Sequence, residues 1–162
     1  MGRRQGALLI LGALWLLWLW AAPPAWAARI DPYVQRYLQA REPVALKADA
    51  SGALQTFTAA DLSVGKRLFE SNCINCHVGG ATLPNPRVSL SLADLQGATP
   101  PRDNIAALMA FMRAPRSYDG QEESYTCRAL PPESVADPEL AQLAAFILRA
   151  AQVAPGWGSK EF

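Results

Sequence analysis

Residues 73–77 read Cys73-Ile74-Asn75-Cys76-His77, and the rest of the chain takes its meaning from them. Two thiols three positions apart at the end of a helix can each add to one vinyl group of the same porphyrin. The next residue, His77, then offers its imidazole to the iron from the same side. The pattern C-x-x-C-H predicts covalent attachment of one c-type haem through Cys73 and Cys76, with His77 as an axial ligand. Two other uses of the pair compete. A thioredoxin-like C-x-x-C calls for a βαβ context, which the neighbouring sequence lacks. A zinc site calls for about four ligands. Here His77 is the single histidine and Cys127 the single further cysteine, so no second ligand pair exists.

Working outward, Thr58-Ala59-Ala60-Asp61 has the form of a capping box, opening a helix through Leu62, Gly65, Lys66, Leu68 and Phe69 to about Ser71. Before it, Pro43–Lys47 and Gly52–Phe57 partly alternate apolar and polar residues around Asp49, Ser51 and Gly52, which predicts a small β-hairpin. Ala28–Gln39 reads as a helical turn or an extended arm. After the motif, Pro84 and Asn85-Pro86 mark a loop. Ser91 caps a short helix ending at Gly97, and Pro100-Pro101 stop it. A third helix is expected from Asp103 as cap, its core stripe being Ile105, Leu108, Met109 and Met112, with Pro115 closing it. Ser117–Glu133 has no apolar periodicity and reads as a loop. The last helix has Asp137 as N-cap, Pro138 at its first position, and Leu140, Leu143, Ala144, Ile147, Leu148 and Ala151 as its buried stripe. Pro155-Gly156 ends it. The fold expected is mainly α, a single domain over 28–162 with a small N-terminal β-hairpin and no internal repeats.

The first 27 residues read as a cleaved secretory signal peptide. Arg3 and Arg4 precede the apolar run Ala7–Ala22, Pro23-Pro24 break it, and Ala25-Trp26-Ala27 supplies an A-x-A cleavage site. The run falls short of the roughly 20 residues that span a bilayer. Loss of Arg3 and Arg4 takes the formal charge from +1 to −1. Without a Lys/Arg-rich tract the sequence predicts no nucleic-acid partner and, at most, peripheral contact with a membrane.

His77 being the single histidine, a second histidine ligand is excluded. The donors left for the other face of the iron are Cys127, Met109, Met112 and the phenols of Tyr118 and Tyr125, or a water. Methionines on an apolar stripe are commonly core filler, whereas Cys127 lies in the irregular loop, where a ligand is easily delivered. Cys127 is therefore the expected second ligand, read against an inert thiol. A thiolate would favour ferric iron and lower the reduction potential. Arg128, beside it, is the expected source of favourable charge.

At these residues the chain resembles a known family. Gly65-Lys66-Arg67-Leu68-Phe69, Cys73–Gly80 (CINCHVGG), Ala98–Ile105 (ATPPRDNI), Tyr118-Asp119-Gly120 and Trp157-Gly158 resemble the PsbV cytochromes, extrinsic c-type cytochromes of photosystem II in cyanobacteria and some algae. The resemblance implies a class I monohaem cytochrome c fold and a location in the thylakoid lumen. It also implies photosystem II's lumenal face as one partner. The family supplies its second axial histidine a few residues after Tyr-Asp-Gly, and Cys127 falls about one residue from that place. The family's tail ends in paired tyrosines, whereas this one ends Ser159-Lys160-Glu161-Phe162. The chain thus looks like a divergent PsbV paralogue. Its expected role is low-potential electron transfer with a redox partner of unidentified kind, the alternative being an extrinsic structural subunit that stabilises the oxygen-evolving complex. No enzymatic activity is expected, because two protein ligands leave no open iron position.

Overall fold

The computed structural model describes residues 30–83 and 88–159. The expected leader 1–27, the loop residues Pro84 and Asn85-Pro86, and the last three tail residues lie outside the described part. Within it are five α-helices, one 3-10 turn and one two-stranded antiparallel sheet. In chain order these are α1 (Pro32–Arg36), β1 (Val44–Lys47), β2 (Leu54–Phe57), α2 (Ala59–Asn72), α3 (Leu92–Gly97), α4 (Ile105–Arg113) and α5 (Asp137–Val153).

The core is the crossing of α2 on α5. Leu62 and Phe69 from α2 meet Leu140, Leu143, Ala144, Ile147 and Leu148 from α5, all nearly inaccessible to water. Each such leucine contributes roughly 1.5–3 kcal/mol by leaving water. Close approach needs a gap in one helix, and Gly65 supplies it. A Cβ there would collide with the Gln142 carbonyl oxygen and lie 2.8 Å from Phe146 Cβ. Asp61 secures the same pair of helices from both sides. Its carboxylate accepts from Thr58 N at 2.8 Å, completing the capping box, and from Gln142 Nε2 at 2.9 Å.

The N-terminal region rests on this core. The described part of the segment expected to be a helical turn or an arm holds the helical turn α1. Asp31 caps it, accepting from Tyr33 N, and its second oxygen lies 3.0 Å from Lys66 Nζ on α2. The hairpin pairs Val44 with Phe57 and Lys47 with Leu54, turning Leu46 and Phe57 inward. Lys47 Nζ reaches Asp103 at 3.0 Å and Ala106 N donates to Ala48 O, so the hairpin is fixed to the start of α4.

Two caps differ from the sequence reading. Asn104, not Asp103, caps α4, its Oδ1 accepting from Ala107 N at 2.9 Å. Asp103 is instead drawn to Lys47, which holds its carboxyl below the usual range. At α5 the cap position is Ala136, Asp137 is already helical, and Pro138 follows in the first turn. Alanine has no side-chain acceptor, so only Glu139 reaches back, accepting from Ala136 N at 3.3 Å. Asp137 is left to pair with Arg113 at 2.5 Å.

Candidate haem site

α2 ends at Asn72, and Cys73 caps it with its N–H on Phe69 O at 2.8 Å. The chain makes one more turn, in which Cys76 N and His77 N both donate to Cys73 O, at 3.1 and 2.9 Å. That turn gathers the two sulfurs and the imidazole at one end of α2. Gly79 and Gly80 then take positive φ, 57° and 80°, and turn the chain back so that Ala81 O comes to 3.2 Å from His77 Nδ1. A carbonyl only accepts, so Nδ1 carries the ring proton and the lone pair is left on Nε2. Thr82 Oγ1 joins the same nitrogen at 3.2 Å. Burial pushes His77 below its usual pKa, with the Ala81 contact working the other way. Burial thus favours the neutral imidazole, the state an iron ligand requires.

Behind the motif stands an aromatic cluster. Phe69 and Phe146 have ring centres 5.4 Å apart, and Trp157 lies 5.3 Å from Phe69 and 5.7 Å, edge-on, from Phe146. Trp157 Nε1 donates to Leu90 O at 3.0 Å, and Gly158 N donates to Gly79 O at 2.8 Å. Trp157 and Gly158 thus pack against the two glycines that aim His77.

The loop between α4 and α5 brings Cys127 to the motif across more than fifty residues of chain. The three cysteines are free thiols. Burial, then the proximity of Cys127 and of Cys76, pushes the Cys73 thiol up to about 12. Cys127 is raised mainly by burial, opposed by the Arg102 guanidinium. A cation that bears on Cys127 is Arg102, on the loop before α4, while Arg128, the expected source, is exposed. Of the other donors weighed, Met112 is buried in the core and Met109 packs against it. Tyr118 Oη donates to Asp94 O at 3.0 Å, and Tyr125 is 94% exposed. Sequence reasoning missed Ala81, Thr82 and Arg102. A carbonyl has no sequence signal, and the role of Arg102 depends on loop geometry.

The residues present fit a haem. Two unpaired thiols and a neutral imidazole with its lone pair on Nε2 form the donor set, and exposed apolar side chains border it: Ile74, Val78 and Leu83. The crystal structure of the PsbV2 cytochrome from the cyanobacterium Thermosynechococcus elongatus superimposes with a TM-score of 0.79. It is 62% identical to this chain, and the match covers 80% of this chain and 99% of that one. Fold and motif define a class I c-type cytochrome. The cytochrome c-550 domain matches residues 37–162, and the chain belongs to the cytochrome c-550 family. A c-type haem is accordingly the group this site accommodates. Among curated relatives, the cytochrome c-550-like protein of Synechococcus sp. (strain JA-3-3Ab) is 62% identical over 148 residues, covering 91% of this chain and 84% of the relative. The photosystem II extrinsic protein V of Gloeobacter violaceus is 59% identical over 133 residues, covering 82% of this chain and 72% of the relative.

Proposed function

We propose that the protein is an exported monohaem cytochrome that carries electrons at low potential on the lumenal side of the thylakoid. Cys73 and Cys76 would hold the haem by thioethers, and His77 and Cys127 would be the two axial ligands. The observation that carries this reading is the placement of Cys127 beside the motif while Met112 is buried in the core, Met109 packs against it, Tyr118 is hydrogen-bonded and Tyr125 points to water. The haem would supply a one-electron couple, which a thiolate shifts toward the ferric state. The chain's own part is to hold the ring: Ala81 O fixes the His77 tautomer, and the loop from Ala114 to Ala129 delivers the thiol. With both axial positions taken by protein, no enzymatic role is proposed. The leader at residues 1–27 supports export, and among the described residues no helix is long and apolar enough to cross a membrane.

Electron paramagnetic resonance of the ferric protein tests the ligand pair, since it reports both ligands together. A low-spin histidine/thiolate signature is expected, and a high-spin spectrum would defeat the reading. Haem that survives denaturing electrophoresis and acid-acetone extraction would establish the thioethers. A second role, as an extrinsic subunit of photosystem II, is favoured by the 59% identity to the extrinsic protein V of Gloeobacter violaceus. It requires copurification with that complex and release by high salt, which screens peripheral charge contacts. Recovery from the soluble lumenal fraction, with the complex fully occupied by another cytochrome, favours the free carrier.

A further inference from the structure

The loop that carries Cys127 has no regular structure of its own, and two arginines hold it. Arg113 secures its far end, donating to the carbonyls of Leu130 and Val135 and to Asp137. Arg102 secures its near end. Its own N–H donates to Leu95 O at 2.8 Å, which fixes its backbone to α3. Its guanidinium carbon sits 4.0 Å from the ring centre of Phe111 on α4. From there one nitrogen donates to Ser117 O at 2.6 Å and to Arg116 O at 3.2 Å. Arg116 passes the constraint on, donating to Gly120 O and Gln121 O. Thr99 N, three residues before Arg102, donates to Tyr118 O at 2.9 Å. A planar fork held over an aromatic ring is a role lysine cannot fill.

We propose that Arg102 is the positioning residue of the sixth ligand: it clamps the loop that presents Cys127 and adds a positive charge to the surroundings of that thiol. This rests on Cys127 being the ligand. The half-buried guanidinium and the Cys127 thiol act on each other electrostatically, in keeping with that placement. Release of the clamp lets the loop swing away, so an outside ligand reaches the iron faster. Loss of that positive charge favours the more positive ferric state, so the reduction potential falls.

The test uses the haem-loaded mature protein and its Arg102→Gln, Arg102→Lys and Cys127→Ala variants, with added imidazole as the probe. Hydrogen bonds from a charged group to two carbonyls are worth about a tenfold change. Imidazole should therefore displace the protein ligand roughly tenfold faster in Arg102→Gln. Its potential, measured while the low-spin signal persists, should lie below that of the unsubstituted protein. Arg102→Lys should retain the potential and lose part of the protection against imidazole. An Arg102→Gln protein with unchanged imidazole kinetics and potential, altered only in its urea midpoint, would overturn the proposal and leave Arg102 a structural residue. An unchanged spectrum in Cys127→Ala would instead remove the ligand assignment, and this proposal with it. If Arg102→Gln fails to load haem, Phe111→Leu removes the ring under the guanidinium while keeping an apolar side chain against the core. It should speed imidazole entry, and unaltered kinetics in that variant would likewise overturn the proposal.

Discussion

Gly80 lies against the indole of Trp157 so closely that a Cβ on the glycine would stand 2.6 Å from a ring carbon. Trp157 is thereby fixed to the segment that turns back after His77. Gly79 shares the left-handed conformation, with φ 57° against 80°, but nothing lies within 4 Å of where its Cβ would be. The two positions separate backbone strain from collision.

Gly79→Ala should cost about 1 kcal/mol, the left-handed backbone alone. Gly80→Ala should cost about 2 kcal/mol more, since the indole is held by Leu90 and packed on Phe69 and Phe146. Urea denaturation of the haem-loaded variants measures both. Equal losses at the two positions would show that Trp157 yields freely.

At Gly65 two effects of opposite sign compete. Alanine is favoured over glycine in a helix by about 1 kcal/mol. The added methyl, however, meets the Gln142 carbonyl and the Phe146 Cβ on α5, and neither is the free end of a flexible chain. Overpacking of this kind costs about 1–3 kcal/mol, and parting the helices exposes the leucines between them. Collision should win, so Gly65→Ala should lower stability by about 2 kcal/mol in thermal or urea melts. A neutral or stabilising result would mean that α2 and α5 slide apart at little cost.

The acid limb of stability should pass through Asp61. Burial alone would raise its pKa, but hydrogen bonds from the Thr58 side chain, the Thr58 backbone and Gln142 outweigh it and leave it depressed. A depressed carboxyl contributes stability above its unfolded value of about 4, and that contribution is lost as pH falls through the folded value. Asp61→Asn should cost about 1 kcal/mol near pH 7 and narrow the gap to the unsubstituted protein as pH falls toward about 3. Asp49, Asp103 and Asp119 are depressed as well, so the variant keeps part of the slope. Parallel stability curves for the two proteins would contradict the role of the carboxylate.

What the residues reveal in advance divides along physical lines. The capping box at Thr58 and Asp61, the Ser91 cap and the stripes on α4 and α5 are written in residues a few positions apart, and the structure has them. The cap of α4 falls one residue later than the sequence suggests, because Asp103 and Asn104 are both good caps and a lysine distant in sequence, Lys47, draws Asp103 away. The motif places Cys73, Cys76 and His77 together by its spacing alone. Arg102 is out of the sequence's reach for the opposite reason. Its effect on Cys127 depends on how a loop without periodicity folds, while Arg128 has only its adjacency in sequence to recommend it.

Replacement of Cys127 decides the central question. Low-spin iron with His77 on one side needs a second strong donor, and the described residues offer few that are not otherwise engaged. Met112 is buried in the core, Tyr118 is hydrogen-bonded to Asp94, and Tyr125 faces water. Cys127→Ala should therefore convert the ferric spectrum from low-spin histidine/thiolate to a high-spin or water-ligated form. The change should come at little cost to the helical core, because the loop packs outside the crossing of α2 and α5. Cys127→His should give a bis-histidine spectrum and a higher reduction potential, since a neutral imidazole replaces an anion. That rescue demands that the loop accept a longer side chain at a fixed position, so the alanine variant is the more decisive of the two. A spectrum unchanged in Cys127→Ala would eliminate the cysteine and turn the search to Met109, which packs on the core, and to Met112, which α4 would have to turn out of it.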